Sequence, residues 1–247
     1  MGFRNGLDRR LCQSYNLIKC MIEVNDQINH HAKHDTKDRI LDAAESLFAQ
    51  HGFDATSLRV ITAAAGVNLA SVNYHFQSKN SLIEAVLTRR IAPLNRERLE
   101  MLAAVEAAAG NESLALEDIV HAFVAPVVHK RLGCGRHGSD VGRLFGRIYS
   151  DPCECARASF FSQMREILRP FTSAFRRALP GLSTVEVLWR IHFGVGVMAH
   201  TLAGAEHLKN VSGGLCDLAD VEGTIERIVT FICAGMRAPL APAPNRS

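Results

Sequence analysis

The chain has 247 residues, of which 47% are hydrophobic and 21% charged, and its formal net charge is +3. This composition is that of a soluble globular protein with one large domain or two modest ones, and the mild positive charge permits a nucleic-acid partner without demonstrating one. No run of about 18 uncharged apolar residues occurs, and the N-terminus lacks a secretory pattern, so we expect neither a membrane span nor a secretory leader.

The cysteines and the two ends of the chain carry little regular pattern. The seven cysteines are Cys12, Cys20, Cys134, Cys153, Cys155, Cys216 and Cys233. They are too scattered for a small disulfide-stapled domain, so free thiols in a reducing cytoplasm are expected. Residues 1–34 show no sustained hydrophobic period and are predicted to form a flexible N-terminal extension. The three prolines of residues 238–247 predict a disordered tail.

Between these ends, apolar residues recur at helical spacing, and no alternating strand or Asn-Gly hairpin is found. The predicted fold is therefore all-α. Residues 35–92 are predicted to form four short helices. Polar residues that can cap a helix give their starts, and residues that can end a helix give their stops. The predicted starts are Asp35 or Thr36, Thr56, Asn68 and Ser78, and the predicted stops are Gly52, Gly66, Phe76 and Pro93.

Beyond Pro93 the same period predicts longer helices. Their ranges are 94–109, 114–132, 139–150, 154–178, 183–208 and 217–237. Pro126 and Pro170 fall inside two of them and are expected to kink them. A boundary near residue 92 is therefore predicted between a small N-terminal domain, residues 35–92, and a larger helical domain, residues 93–237.

The second and third predicted helices, residues 57–76, have the anatomy of a helix-turn-helix, whose second helix enters the DNA major groove. Val67, Val72 and Phe76 provide the face that anchors the third helix to its neighbours. The other face offers small and hydrogen-bonding groups that suit bases and phosphates. Thr56 and Lys79 begin helices, where free N–H groups favour a phosphate. The residues expected at DNA are Thr56, Asn68, Leu69, Ala70, Ser71, Asn73, Tyr74, His75 and Lys79.

The pattern alone leaves open a corner between two helices of a larger bundle. However, the segment TKDRILDAAESLFAQHGFDATSLRVITAAAGVNLASVNYHFQSKNSLIEAVL resembles the N-terminal domain of the TetR family of bacterial transcription regulators. The resemblance implies a helix-turn-helix domain that binds double-stranded DNA and belongs to a homodimer. Two positions depart from the family pattern. Asn73 stands where an aromatic residue is usual. Val60 stands where an acidic or polar residue is usual, and it is expected to contact the C-terminal domain.

Later segments carry a second resemblance. The stretches EVLWRIHFGVGVMAHTLAG and FICAGMRA resemble TetR regulators of the fatty-acid-metabolism type, which respond to fatty acids or acyl-CoA. This resemblance implies a repressor that releases a near-palindromic operator when a small hydrophobic effector binds. It implies no cofactor, no metal and no enzymatic activity, and no nucleophile with an adjacent base is found.

The C-terminal domain is predicted to hold the effector in a pocket between kinked helices. The candidate lining residues are Phe123, Arg143, Arg147, Phe171, Trp189 and His192. Most aromatic residues at helical spacing are simply core. Arg143 and Arg147 lie four residues apart on one helix face, where they either stay solvated, pair with a carboxylate such as Asp140, or hold an anionic headgroup.

The last two long helices carry apolar stripes, and the family resemblance implies that they form a four-helix dimer interface with their symmetry mates. The predicted interface residues are Leu188, Ile191, Val195, Met198, Leu202, Ile225, Ile228 and Ile232. Gly194, Gly196, Ala199 and Ala203 would allow close approach. An internal core hairpin is the competing interpretation.

Two alternative functions remain at the level of sequence. Cys153 and Cys155, with Cys134 and His137 upstream, have the chemistry of a soft-metal or oxidant sensor, although C-x-C is a loose signal. The other alternative is a helical interaction module that does not bind DNA.

Overall fold

The structure is a computed structural model that describes residues 36–110, 112–132, 144, 147–148 and 151–240. In chain order its helices are α1 (Thr36–His51), α2 (Leu58–Ala65), α3 (Leu69–Phe76), α4 (Lys79–Ala109), α5 (Leu116–Leu132), α6 (Glu154–Ala178), α7 (Thr184–Ala203), α8 (Ala205–Val211) and α9 (Val221–Arg237). The described residues contain no strand, which confirms the all-α prediction. The predicted N-terminal extension and residues 241–247 of the predicted tail lie outside them.

The short N-terminal helices begin and end at residues that satisfy their free backbone groups. Asn68 caps α3 by accepting from the Ser71 N–H at 2.8 Å, and Ser78 caps α4 by accepting from the Ser81 N–H at 3.1 Å. Both predicted caps are thereby confirmed. The cap of α2 is Ser57 rather than the predicted Thr56, since the Ser57 side chain accepts from the Val60 N–H.

Helix α4 joins the two predicted domains. It runs for 31 residues and contains Pro93, so the boundary predicted near residue 92 falls inside a continuous helix. Its N-terminal half is tied to α1 by the buried Glu45, which pairs with Arg89 at 2.7 Å and Arg90 at 2.6 Å. Its C-terminal half packs against α5 and α6. A displacement of α4 would therefore change contacts with α1 and with α5 and α6.

The apolar core has two parts. The C-terminal part is formed by α5, α6, α7 and α9 around residues such as Phe171 and Ile119. The N-terminal part surrounds Phe48, but it also contains Leu144, Ile148 and Phe160 from the C-terminal half of the sequence. The core of the helix-turn-helix domain is therefore completed by residues from beyond α5.

The C-terminal helices follow the predicted ranges with two differences. The range 183–208 is divided at Gly204 into α7 and α8, and the last helix begins at Val221 after a cap by Asp220. Of the predicted helix 139–150, only three residues are described, and all three are helical. No helix in the described parts of the chain has the length and apolar character needed to cross a membrane.

Candidate DNA interface and effector cavity

Helix α3 has one buried face and one exposed face. Val72 and Phe76 are buried in the N-terminal core, as predicted. On the opposite side Leu69 is 43% exposed and Tyr74 is 83% exposed, while Ala70 and Asn73 are also exposed. Side chains that bind apolar methyl groups, amides and phosphates are therefore accessible on one short helix.

Three other residues in α3 or at its start are constrained by local contacts. His75 is half-buried, and its ring meets that of Tyr74 edge to face with centroids 5.1 Å apart. Asn68 and Ser71 form the helix cap, since the Asn68 Oδ1 also accepts from the Ser71 hydroxyl at 2.9 Å. Their side chains thus help to hold the start of α3, and the DNA contacts predicted for them stay predictions.

The two residues predicted to lie at phosphates, Thr56 and Lys79, differ in exposure. Thr56 is only 2% exposed, and its hydroxyl donates to the Gly52 carbonyl at 2.7 Å. The Thr56 hydroxyl is therefore not accessible to a phosphate, whereas the phosphate contact expected from the free N–H groups at this position stays a prediction. Lys79 is half-buried and donates from Nζ to the Asp54 carbonyl at 3.0 Å. An ammonium has three donors, so Lys79 keeps donors for a phosphate.

The turn between α2 and α3 is held by α1. Gly66 ends α2 in the left-handed conformation, with φ of 62°. The Arg39 guanidinium donates from Nη2 to the carbonyls of Ala65 at 2.6 Å and Gly66 at 2.9 Å. These contacts satisfy carbonyls that the end of α2 leaves free, and they fix the angle between α2 and α3. Val60 is 49% exposed on α2 and is not part of the N-terminal core, so the structure does not support the contact with the C-terminal domain that was expected of it.

A polar contact joins the end of α1 to the segment before α6. The Asp151 carboxylate accepts from the Phe53 N–H at 2.8 Å and from the Cys153 N–H at 3.1 Å. Arg147 donates from Nη2 to the Gln50 carbonyl at 2.8 Å. Arg147 was predicted in the effector pocket, but it instead connects the two halves of the molecule. Arg143 lies outside the described residues.

The C-terminal half contains a cavity of about 340 Å³ between α4, α5, α6 and α7. Its apolar lining includes Leu94, Phe123, Val127, Met164, Val195, Met198 and Leu202, and its polar lining consists of Asn95, Arg98, Lys130, Arg131 and His200. Ile91 and Phe160 line the cavity and also belong to the N-terminal core. A cavity occupant would thus touch the core that supports the helix-turn-helix.

Of the predicted pocket residues that the structure describes, Phe123 alone lines this cavity. Phe171 is fully buried beside it, with ring centroids 5.1 Å apart, and belongs to the core. Trp189 is 55% exposed and His192 is also exposed on α7, so neither residue lines this cavity. The aromatic residues did not locate the cavity, because they occur both in the core and on the outer surface.

Sequence reasoning missed the polar group that distinguishes the cavity, Arg98. It is 4% exposed, and its guanidinium lies 4.4 Å from the centroid of the Phe123 ring. A signal was present in the sequence. Leu94, Arg98 and Leu102 recur every four residues on a buried face, where a charged residue is unusual.

The predicted dimer residues are mostly internal to one chain. Ile191, Met198, Leu202, Ile225, Ile228 and Ile232 are all less than 9% exposed, and Val195 lines the cavity. A Cβ on Gly194 would lie 3.3 Å from the Ile232 side chain, so the close approach is between α7 and α9 of the same chain. For these residues the core-hairpin interpretation applies.

A different face of α7 is apolar and exposed. Val185, Trp189 and Phe193 are between 55% and 65% exposed, Leu188 is 38% exposed, and Phe231 of α9 is 66% exposed. The Trp189 and Phe193 rings stack with centroids 5.7 Å apart. An apolar patch of this kind is typical of an interaction surface. Leu188 is the one predicted interface residue that belongs to it.

The thiols suggested as a sensor are poorly suited to reactivity. Cys153 is 7% exposed and Cys155 is half-buried, and burial raises the pKa of both thiols. A raised pKa lowers the fraction of thiolate, the form that binds metals and reacts. Cys134 and His137 lie outside the described residues. In the described ranges, no three histidine, cysteine or acidic side chains group as metal ligands would.

Comparison with known families gives the class of the protein. Residues 40–86 match the family model for bacterial regulatory proteins of the tetR family, and residues 121–235 match the tetracyclin repressor-like C-terminal domain. The two matches together cover about two thirds of the chain. The chain belongs to the TetR family of DNA-binding transcriptional regulators. The helix-turn-helix inferred from α2 and α3 lies inside the first match.

Individual relatives agree with this class. The probable HTH-type transcriptional regulator YttP of Bacillus subtilis is 43% identical over 56 residues, which span 23% of this chain and 27% of YttP. The HTH-type transcriptional repressor NemR of Escherichia coli is 23% identical over 195 residues, 74% of this chain and 93% of NemR. These relatives are regulators rather than enzymes.

The fold also matches solved structures. The transcriptional regulator FadR of Bacillus subtilis, in complex with stearoyl-CoA, aligns with a TM-score of 0.55. The alignment covers 80% of this chain and 97% of FadR at 12% identity. At this identity the likeness concerns the fold.

Proposed function

We propose that the chain is a homodimeric repressor that releases a near-palindromic operator when a small hydrophobic effector enters the C-terminal cavity. The exposed face of α3 carries the proposal. Leu69 and Ala70 would meet thymine methyl groups, Asn73 would pair with adenine, and Tyr74 and Lys79 would contact phosphates. Two copies of α3 would enter successive major grooves about 34 Å apart.

The family typically acts as homodimers, and the exposed face of α7 and α9 suits that assembly. Its apolar residues Val185, Leu188, Trp189, Phe193 and Phe231 would be covered by the same residues of a second copy. This face replaces the stripe proposed from the sequence, which is already covered within one chain.

Control by the effector follows from the position of the cavity. An occupant that contacts Ile91 and Phe160 contacts the core shared with the helix-turn-helix domain. The Asp151 contact to Phe53 and the Arg147 contact to Gln50 would carry a movement of the C-terminal half to the end of α1. An effector that prefers one arrangement of the two DNA-binding domains shifts the population away from the operator-bound form.

The effector class that this cavity suits is a fatty acid or an acyl-CoA. Most of its lining is aliphatic or aromatic, and a volume of about 340 Å³ accommodates a small apolar molecule. FadR, whose structure contains stearoyl-CoA, has the same overall fold. The apolar lining supports the choice of an acyl chain.

The test begins with selection of genomic fragments bound by the full-length protein, followed by binding measurements on the recovered duplexes. Tyr74→Ala should weaken operator binding by about tenfold or more, because a phosphate contact is lost. Leu215→Ala is the matched control, since Leu215 is 90% exposed in the loop before α9. Unchanged operator affinity in Tyr74→Ala would refute the assignment of α3 as the DNA-reading helix.

A further inference from the structure

Among the described residues that line the cavity, Arg98 carries an almost fully buried charge. Arg98 donates from Nε to the Phe123 carbonyl at 2.8 Å, and its Nη1 lies 3.4 Å from the Asn95 Oδ1. Both acceptors are uncharged. Among the residues that the structure describes, no carboxylate forms an ion pair with this guanidinium. The cation therefore relies on dipoles and on the Phe123 ring, 4.4 Å away.

Such burial has an energetic cost. Removing a cation from water without a counter-ion is unfavourable, and here burial lowers the pKa of Arg98 to about 10, against a smaller opposing effect of Glu97. At neutral pH the guanidinium still carries its charge. A ligand that brings a negative charge to the cavity would offset this cost, whereas a neutral ligand would leave it in place.

The rest of the polar lining points in the same direction. Lys130 and Arg131 also line the cavity, and the Arg131 Nε is buried without a hydrogen-bond partner. The lining residues that the structure describes include no aspartate or glutamate. The cavity is thus apolar along most of its surface and positively charged in its polar part.

We propose that the effector is an amphipathic free carboxylic acid whose carboxylate pairs with Arg98 and whose chain fills the apolar part of the cavity. This deepens the proposed function, on which it rests for the identity of the effector site. It also chooses between the two effector types, because an acyl-CoA carries a thioester where the acid has its carboxylate. The volume of about 340 Å³ lies near the lower end for ligand pockets, about 300–1,000 Å³, which favours the smaller molecule.

The experiment compares decanoic acid, methyl decanoate and decanoyl-CoA by calorimetric titration of the full-length protein. The acid should bind about 10- to 100-fold more tightly than the ester, because charge-assisted hydrogen bonds exceed neutral ones by that margin. Arg98→Met should reduce acid affinity to that of the ester and leave ester affinity unchanged. Arg96→Met, an exposed arginine on the same helix, is the control and should bind all three compounds as the wild type does.

Several outcomes would overturn the proposal. They are equal binding of acid and ester, an acid preference that persists in Arg98→Met, tighter binding of decanoyl-CoA than of the acid, or no binding of any compound. Since Arg98 also holds the Phe123 carbonyl, the substitution can disturb the cavity itself. If Arg98→Met binds neither acid nor ester, Arg98→Lys decides: a retained acid preference supports the ion pair, and its loss refutes it.

Operator binding is measured separately, so that the two proposals fail independently. Decanoic acid should release wild-type protein from a selected operator fragment and should not release Arg98→Met. A protein that binds the acid through Arg98 but binds no genomic fragment would refute the repressor function and leave the ligand assignment intact. Operator binding that is unaffected by a tightly bound acid would show that the acid is not the effector and would overturn the assignment.

Discussion

The helix-turn-helix and the cavity differ in how their functional residues are spread along the chain. The groups proposed to contact DNA belong to α3, a helix of eight residues, and its immediate neighbours. The cavity is lined by residues between Ile91 and Ala203, on four helices. One helical period is enough to create a DNA-reading face, whereas the cavity exists only where distant helices pack. The candidate DNA-binding face could therefore be predicted from the sequence, and the cavity could not.

The same two regions share structural support. α4 runs through both, and Phe160 contributes to the N-terminal core while lining the cavity. The two regions are therefore distributed differently along the sequence, but they are mechanically coupled.

The largest effect is expected from truncating one phenylalanine in each core. Phe48 and Phe171 are both 0% exposed, and each Phe→Ala change should reduce the free energy of unfolding by about 3–5 kcal/mol. Because α4 and the shared core couple the two halves, both variants should lower the same single transition in scanning calorimetry. Two separated transitions, each sensitive to only one variant, would show that the halves unfold independently.

A smaller effect is expected at the turn before α3. Gly66→Ala places a side chain at φ of 62° and brings its Cβ to 2.8 Å from the Arg39 Nη2. We expect the free energy of unfolding to fall by about 1–2 kcal/mol. Operator binding should also weaken, because the Arg39 guanidinium is displaced from the carbonyls of the turn.

Gly213→Ala is the matched control for this change. Gly213 has the same φ of 62°, but a Cβ there meets no atom within 4 Å. Chemical denaturation should give a comparable cost of backbone strain for this variant, with operator affinity unchanged. If both variants lost operator affinity equally, the contact between Arg39 and the turn would have no role in positioning α3.

The smallest effect concerns the C-terminal half alone. Glu117 of α5 pairs with Arg237 of α9 at 2.7 Å, and this hydrogen-bonded pair lowers the pKa of Glu117 below its ordinary value of 4.5. Because the folded-state pKa is depressed, the pair stabilises the fold above pH 4.5, and this contribution is lost as pH falls through the folded pKa. Both side chains are about half exposed, so the contribution is under about 1 kcal/mol.

The pH dependence is measured by comparing the Tm of wild type and Glu117→Gln from pH 7 downward. The wild type should be slightly more stable at pH 7, and the difference should disappear in acid. Glu106→Gln is a useful control, since Glu106 forms a similar exposed pair with Arg177 between α4 and α6. A difference that grows as pH falls would contradict the sign of the Glu117 shift.

The dimer residues show why the sequence reached only part of the site. Ile191 and Trp189 both belong to an apolar pattern on α7, but one is 7% and the other 55% exposed. Hydropathy does not distinguish the two residues, because it carries no information on which face of α7 is covered by α9. The error at Arg147 has the same origin, since its partner Gln50 lies 97 residues earlier in the chain.

What the sequence determined by itself was the class of fold, the caps at Asn68 and Ser78, and the helix that presents Asn73 and Tyr74. These features depend on residues within one or two helical turns of each other, and local backbone geometry decides them. The tertiary structure alone decided which apolar face remains open and which basic side chain faces the cavity. Arg98 acquires its position there only because α4 packs against α5 and α6, a contact between residues far apart in the chain.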